Sequence, residues 1–315
     1  MLFKKRTLII LLIIVGTLLV INFRFGWHRD IGIAQTFVIE KGQGLSEISD
    51  ALAQKKIIKR PLGFKIYAVL TGNYDNLLAG KFFLPQKISI KDLMKILTNE
   101  KFMQLETEIT IIEGWNKNEI ADYLEQKQLV DKKTFLKAAN DLEGFLYPDT
   151  YRIYQATTAD EIIKKMLDNF NTKLTIDLKN KIEQQHKTIP QILTMASIIE
   201  KEMTGLENRK IASGIFWKRI KQGIPLQSDA TINFITQKGM TQPNYVDLKI
   251  DSPYNTYKNY GLPPGPICNP GLEAIIASIE PTASQYYYFL TTKTGDVIFS
   301  KTYEEHLKNK QKYLN

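Results

Sequence analysis

Between Pro190 and Glu202 the chain reads Pro-Gln-Ile-Leu-Thr-Met-Ala-Ser-Ile-Ile-Glu-Lys-Glu, with no charge until its last three residues. A carboxyl at the edge of an apolar environment has its ionised form destabilised. Its pKa rises, and it can hold a proton at neutral pH and give it up as a general acid. Residues two apart on a helix point about 200° apart at roughly 3.6 residues per turn, so Glu200 and Glu202 cannot face the same bond. A hydrolase with two carboxyls across a sugar is therefore disfavoured here, whereas an intramolecular displacement needs only one group that first donates and then accepts a proton. The plainer possibility is the solvated end of a buried helix, with Lys201 or Arg209 as ion-pair partner. The helix alone leaves that open.

The second group with chemical potential is the loop from Asp251: Ser252-Pro253-Tyr254-Asn255-Thr256-Tyr257, then Gly261-Leu262-Pro263-Pro264-Gly265-Pro266-Ile267-Cys268-Asn269-Pro270-Gly271. Proline fixes φ, so this loop is stiff. Tyrosines offer flat apolar faces to sugar rings, and Asn255 and Thr256 offer donors and acceptors for acetamido and hydroxyl groups. A rigid polar and aromatic loop suits a carbohydrate cleft. Its second half also reads as a connector, with Asn269 as the cap of a helix running to Ile279.

The elements that position these groups follow from periodicity. Thr36–Glu40 alternates like a strand, Gly42-Gln43-Gly44 turns, and Leu45, Ile48 and Leu52 take helical spacing. A second helix is expected over Pro61–Leu70, a strand near Ala79–Leu84, and a helix capped by Ser89 with Leu93, Ile96 and Leu97 on its apolar face. This small α+β unit, residues 36–102, resembles a LysM-like module and reads equally as a spacer. From Met103 to Ile111 the alternation reads as one strand, and Asn116 to Glu119 opens a helix as a capping box. Helices are expected over Thr134–Asn140, Ala159–Phe170, Leu178–Gln185, Pro190–Met203 and Asn208–Gln222. A hairpin of Tyr286–Thr292 with Val297–Ser300 and a last helix from Tyr303 complete a mainly helical domain, residues 103–315. The fold class is α+β.

Ahead of these lies the segment Thr7–Phe23, apolar and uncharged, which at about 1.5 Å per residue nearly spans a hydrocarbon core. It reads as a transmembrane helix, with residues 24–35 as a juxtamembrane linker. Lys4, Lys5 and Arg6, in the cytoplasmic stretch 1–6, place everything after Arg24 outside a bacterial cytoplasmic membrane. Arg24, Phe25 and Trp27 stand where a cleaved leader would carry small residues. The one cysteine, Cys268, excludes an internal disulfide. The net charge of +9 is spread without the basic stripe of a nucleic-acid groove. The three histidines, His28, His186 and His306, lie far apart without metal-ligand spacing and read as structural or surface residues, and no nucleophile elbow or phosphate loop is present. No metal or cofactor is implied.

Taken in order, EGFLYPDTY (143–151), ASIIEKE (196–202), LQSDATI (226–232), SPYNTY (252–257), GLPPGPI (261–267) and NPG (269–271) resemble the endolytic murein transglycosylase family, also called YceG-like. The resemblance covers roughly Phe37 to Leu307, and six spaced motifs in register are very improbable by chance. It implies a bitopic envelope enzyme that cuts the MurNAc–GlcNAc β-1,4 bond inside nascent peptidoglycan strands and leaves 1,6-anhydro-MurNAc ends, working beside the peptidoglycan synthases. On that resemblance the acid/base is assigned to Glu202, motif position alone leaving Glu200 open. Glu200, Gln227, Asp229, Tyr254, Asn255, Thr256 and Tyr257 are expected to bind substrate. Ser228 and Ala230 depart from the LQTDPT that family members often carry. A wall-binding scaffold without turnover and a muramidase are the rival readings.

Overall fold

A computed structural model describes residues 29–104, 106–154, 157–239 and 242–314. The apolar segment 7–23 lies outside these residues, and among them no helix is long and apolar enough to cross a membrane. The chain is a mixed α+β protein, rich in helix with small sheets. It divides into two compact units: one takes the described residues up to Thr107 together with Tyr154, the other runs from Glu108 to Ile153 and from Thr157 onward.

The first unit is built from β1 (Arg29–Asp30), β2 (Gln35–Ile39), α1 (Leu45–Gln54), α2 (Pro61–Leu70), β3 (Gly80–Leu84), β4 (Lys87–Ile88), α3 (Ile90–Leu97) and β5 (Met103–Gln104). Glu47 reaches back to accept the Gly44 N–H at 3.1 Å and opens α1. Pro61 takes the first turn of α2, where its missing N–H leaves nothing unpaired. Ser89 caps α3 by accepting the Asp92 N–H at 3.0 Å. β2 pairs antiparallel with β3, Phe37 opposite Phe82, and β3 pairs antiparallel with β5. Phe37, Leu52, Phe64, Phe82, Leu93 and Leu97 form a dry core.

In the second unit, β6 (Glu106–Thr110) from Glu108 onward, α4 (Lys117–Gln126), α5 (Lys132–Ala138), β7 (Thr150–Tyr154) up to Ile153 and α6 (Ala159–Lys173) enclose Ile109, Ile120, Leu124, Phe135, Ile153 and Met166, with β6 paired to β7. The run read as one strand from Met103 to Ile111 is thus divided: β5 joins the first unit's sheet and β6 joins β7. A second core forms around α8 (Ile189–Glu202), with α7 (Ile176–Gln184), α9 (Leu206–Lys221), α10 (Asp229–Thr236) and α11 (Leu272–Ile279) about it. The residues of α8 from Ile192 to Ile199 are all buried, which is why that stretch carries no charge. α9 lies so close to the segment after α11 that a Cβ on Gly214 would stand 2.0 Å from the Thr282 carbonyl oxygen. The hairpin β8 (Tyr288–Thr291) and β9 (Val297–Ser300) and the helix α12 (Tyr303–Tyr313) end the described chain.

Candidate active site

The two carboxylates that close α8 point to different surroundings, as their spacing requires. Glu200 is turned into the protein: its side chain is 6% exposed. One oxygen accepts from Arg209 Nη2 at 2.6 Å and the other from the Gly271 N–H at 2.9 Å. Arg209 also donates to Glu273 at 3.1 Å and to the Met203 carbonyl at 3.0 Å, so one guanidinium closes the end of α8 and ties it to the start of α11. Glu200 is a frame residue, and it does not line the cleft described next.

Glu202 faces a cleft of about 780 Å³. Burial pushes its carboxyl up to about 7, against the opposing pull of a hydrogen bond from the Ser228 hydroxyl and one from the Ala230 backbone, while the neighbouring Asp229 charge pushes it further up. Ser228 is the N-cap residue of α10 and Ala230 lies in its first turn. The helix N-terminus therefore supplies donors that keep the anion accessible, although burial alone would suppress it. A carboxyl balanced near neutrality can both give and take a proton.

The loop before α10 is fixed by residues behind the cleft. Gln227 sits at φ +53°, a left-handed conformation uncommon for a residue with a Cβ. It is held there by its N–H on the Thr256 carbonyl at 3.1 Å and by its side-chain carbonyl, which accepts from Arg219 Nη2 at 2.8 Å. Thr256 Oγ1 accepts the Ser228 N–H at 3.0 Å and lies 2.9 Å from Thr231 Oγ1. Asn255, fully buried, donates to the carbonyls of Leu248 at 3.0 Å and Ile250 at 2.8 Å and accepts the Tyr257 N–H at 3.0 Å. Tyr257 donates its hydroxyl to Asp229, and burial together with that bond holds its pKa well above the tyrosine range.

The sequence-expected set accordingly separates. Glu202, Gln227, Asp229 and Tyr257 come together on the cleft. Asn255 and Thr256 are buried with their polar atoms used on the protein itself, and the Tyr254 ring packs on Phe234 at 5.0 Å. The loop's polar residues thus build the wall behind the site. Asn269 does not cap α11, whose N-cap is Gly271. Its side chain instead accepts the N–H groups of Gly144 at 2.8 Å and Leu146 at 2.9 Å, and donates to the Trp115 carbonyl and to Glu143, each at 3.0 Å. Glu143 is a second half-buried carboxyl, raised by desolvation to about 7, but its oxygens are occupied by the Lys117 N–H and Asn269, and it does not line the cleft.

Sequence reasoning missed Arg219, Tyr288 and His306, which also line the cleft. His306, read as structural or surface, is half-buried: its ring stacks on Tyr288 at 5.4 Å and burial lowers its pKa. The signal that was available is the tyrosine-rich strand before the hairpin turn. What the sequence hid is that the hairpin and α12 line the same cleft as the end of α8.

The model of the YceG-like family matches residues 37–312. A Bacillus subtilis (strain 168) protein named endolytic murein transglycosylase is 32% identical over 305 residues, which cover 88% of this chain and 84% of that protein. A Streptococcus pneumoniae (strain ATCC BAA-255 / R6) protein of the same name is 32% identical over 323 residues, covering 89% of this chain and 58% of its own length. The chain thus spans little more than half of that relative. The 2.6 Å crystal structure of a yceG-like protein from Listeria monocytogenes is similar with a TM-score of 0.61 at 34% identity, covering 88% of this chain and 99% of that one.

Proposed function

The chain belongs to the YceG-like family, and from that premise we propose that it is an endolytic lytic transglycosylase that cuts peptidoglycan glycan strands with Glu202 as its acid/base. The observation that carries the reading is a half-buried carboxyl, Glu202, set on an open cleft with the Ser228 hydroxyl donating to it. Protonated, Glu202 gives its proton to the leaving oxygen of a MurNAc–GlcNAc β-1,4 bond. It then takes the proton of the 6-hydroxyl as that oxygen closes on the oxocarbenium-like carbon, and the product is a 1,6-anhydro-MurNAc end. No water enters. Gln227, Asp229 and Tyr257 position the sugars, while Glu200, Asn255 and Thr256 act through the frame and Tyr254 through the packing of the loop.

The segment 7–23 is the membrane anchor of this reading, with the working units on the outer face beside the peptidoglycan synthases. The strand–helix–helix–strand order β2–α1–α2–β3 supports a LysM-like first unit.

One observation favours a second reading. Asp229 is a second carboxylate on the same cleft, and two carboxyls across a sugar are what a hydrolytic muramidase uses. Its Oδ1 already accepts from Tyr257, which weakens it as a nucleophile or base. The test is the identity of new strand ends by mass spectrometry. Wild type is expected to give anhydro-MurNAc ends and Glu202→Gln none, whereas Glu200→Gln loses ends only in proportion to lost folded protein. Reducing ends would make the chain a hydrolase, and no ends from folded wild type would make it a scaffold.

A further inference from the structure

The cleft holds a positive charge that the chain does not neutralise. Arg219, in the last turn of α9, is only 6% exposed and lines the cleft. A buried guanidinium is ordinarily held by a carboxylate, because taking the charge out of water must be compensated. Arg209, the other buried arginine of the same helix, follows that rule with Glu200 and Glu273. Arg219 does not: Nη2 donates to the neutral carbonyl of Gln227 at 2.8 Å, and Nε is buried with no partner. Among the described residues no carboxylate is ion-paired with it. The cleft's own acids are committed elsewhere, Glu202 to Ser228 and Asp229 to Tyr257.

A second unanswered nitrogen stands beside the first. The Arg219 guanidinium lies 5.5 Å from the centroid of the Tyr288 ring, and His306 stacks on the same ring. His306 Nδ1 is likewise buried without a partner, and Lys310 lines the cleft next to it. Buried charges are almost always paired, so a guanidinium that lines the cleft with no carboxylate on it marks a place whose partner comes from outside the chain. The planar fork of arginine matches a carboxylate or a phosphate in parallel hydrogen bonds, and the carboxylate is the one that a lactyl-bearing glycan strand carries.

We propose that Arg219, with His306 beside it on the Tyr288 ring, forms a subsite for a carboxylate borne by the lactyl arm of the glycan substrate. The carboxylate is either that of the arm itself in a stripped strand or that of an attached peptide stem. This inference rests on the glycan-cleaving reading of the cleft. A strand without the charge leaves a buried cation and its N–H groups unanswered, so the subsite selects against neutral glycan.

The full-length protein is assayed on three strands of equal length: stem-bearing, stripped with free lactyl carboxylates, and stripped with those carboxylates converted to methylamides. Wild type is expected to prefer a charged strand over the methylamide by at least about tenfold in kcat/KM, the worth of one charge-assisted hydrogen bond, with the difference carried by KM. In Arg219→Gln the ratio falls to near one, and Arg219→Lys keeps part of it. The ratio is taken within one protein sample, so loss of folded protein does not move it. A preference for stripped over stem-bearing strands assigns the lactyl carboxylate, and the reverse assigns the stem. A wild-type ratio near one, or an undiminished ratio in Arg219→Gln, overturns the subsite. If wild type cuts none of the strands, the cleavage reading fails by itself. The same ratio is then read from the Kd values of Glu202→Gln and of the Glu202→Gln, Arg219→Gln double variant.

Discussion

Glu202 and Glu200 share a helix end and differ in everything that decides chemistry. Glu200 spends both oxygens on Arg209 and Gly271, while Glu202 faces the cleft with burial, Ser228 and the start of α10 in balance around it. Ser228 donates to the ionised form and so lowers the pKa. Ser228→Ala removes that donor, the Glu202 pKa rises further above 7, and the limb of the kcat–pH profile on which activity falls with rising pH moves to higher pH; an unmoved limb would detach Ser228 from the acid. The same group sets a sign for stability. Folding raises its pKa from 4.5 to about 7, so the folded state binds more protons in that interval, and stability is greatest below it and falls as pH rises through it. Denaturant titrations of Glu202→Gln are expected to show that fall reduced by about 1–3 kcal/mol, part of it persisting because Glu143 titrates in the same way. The carboxylate pair was legible in the sequence because an uncharged run ending in Glu-Lys-Glu is unusual. Which glutamate meets solvent was not, since that depends on Arg209 arriving from the next helix.

At the scale of elements, the site is a join between segments distant in sequence. Asn269 binds the loops at Trp115, Glu143–Gly144 and Leu146 at once. Asn269→Ala leaves the buried N–H groups of Gly144 and Leu146 unpaired and is expected to lower unfolding free energy by about 2–4 kcal/mol with an unchanged m-value, whereas a loss under about 1 kcal/mol would mean that water replaces the side chain. Helices with strong local signals were readable in advance: α2 from Pro61 to Leu70, α3 from its Ser89 cap, α4 from the Asn116 capping box. α10 was not, because Asp229–Thr236 is short and its start is marked by Gln227 in a left-handed turn and by Thr256, which lies across the fold. Asn255 and Thr256 look like ligands in a sequence, since nothing local reveals that their polar atoms are taken by backbone. β7 (Thr150–Tyr154) was also unread, being defined by its pairing with β6.

In chain order the molecule carries an apolar N-terminal segment, a small α+β unit and a larger, mainly helical unit. If residues 7–23 anchor the chain, the full-length protein stays with membranes through an alkaline carbonate wash and a chain starting at Arg24 is released; release of both would remove the anchor from the account. The central claim is that one carboxyl performs both proton transfers without water. Cleavage of uncrosslinked strands in water enriched in oxygen-18 tests it most directly. Acid/base action by Glu202 alone gives new MurNAc ends that carry no heavy oxygen and lack the elements of water, whereas one heavy oxygen at the anomeric carbon for each cut would show that Glu202 works with Asp229 as a hydrolase.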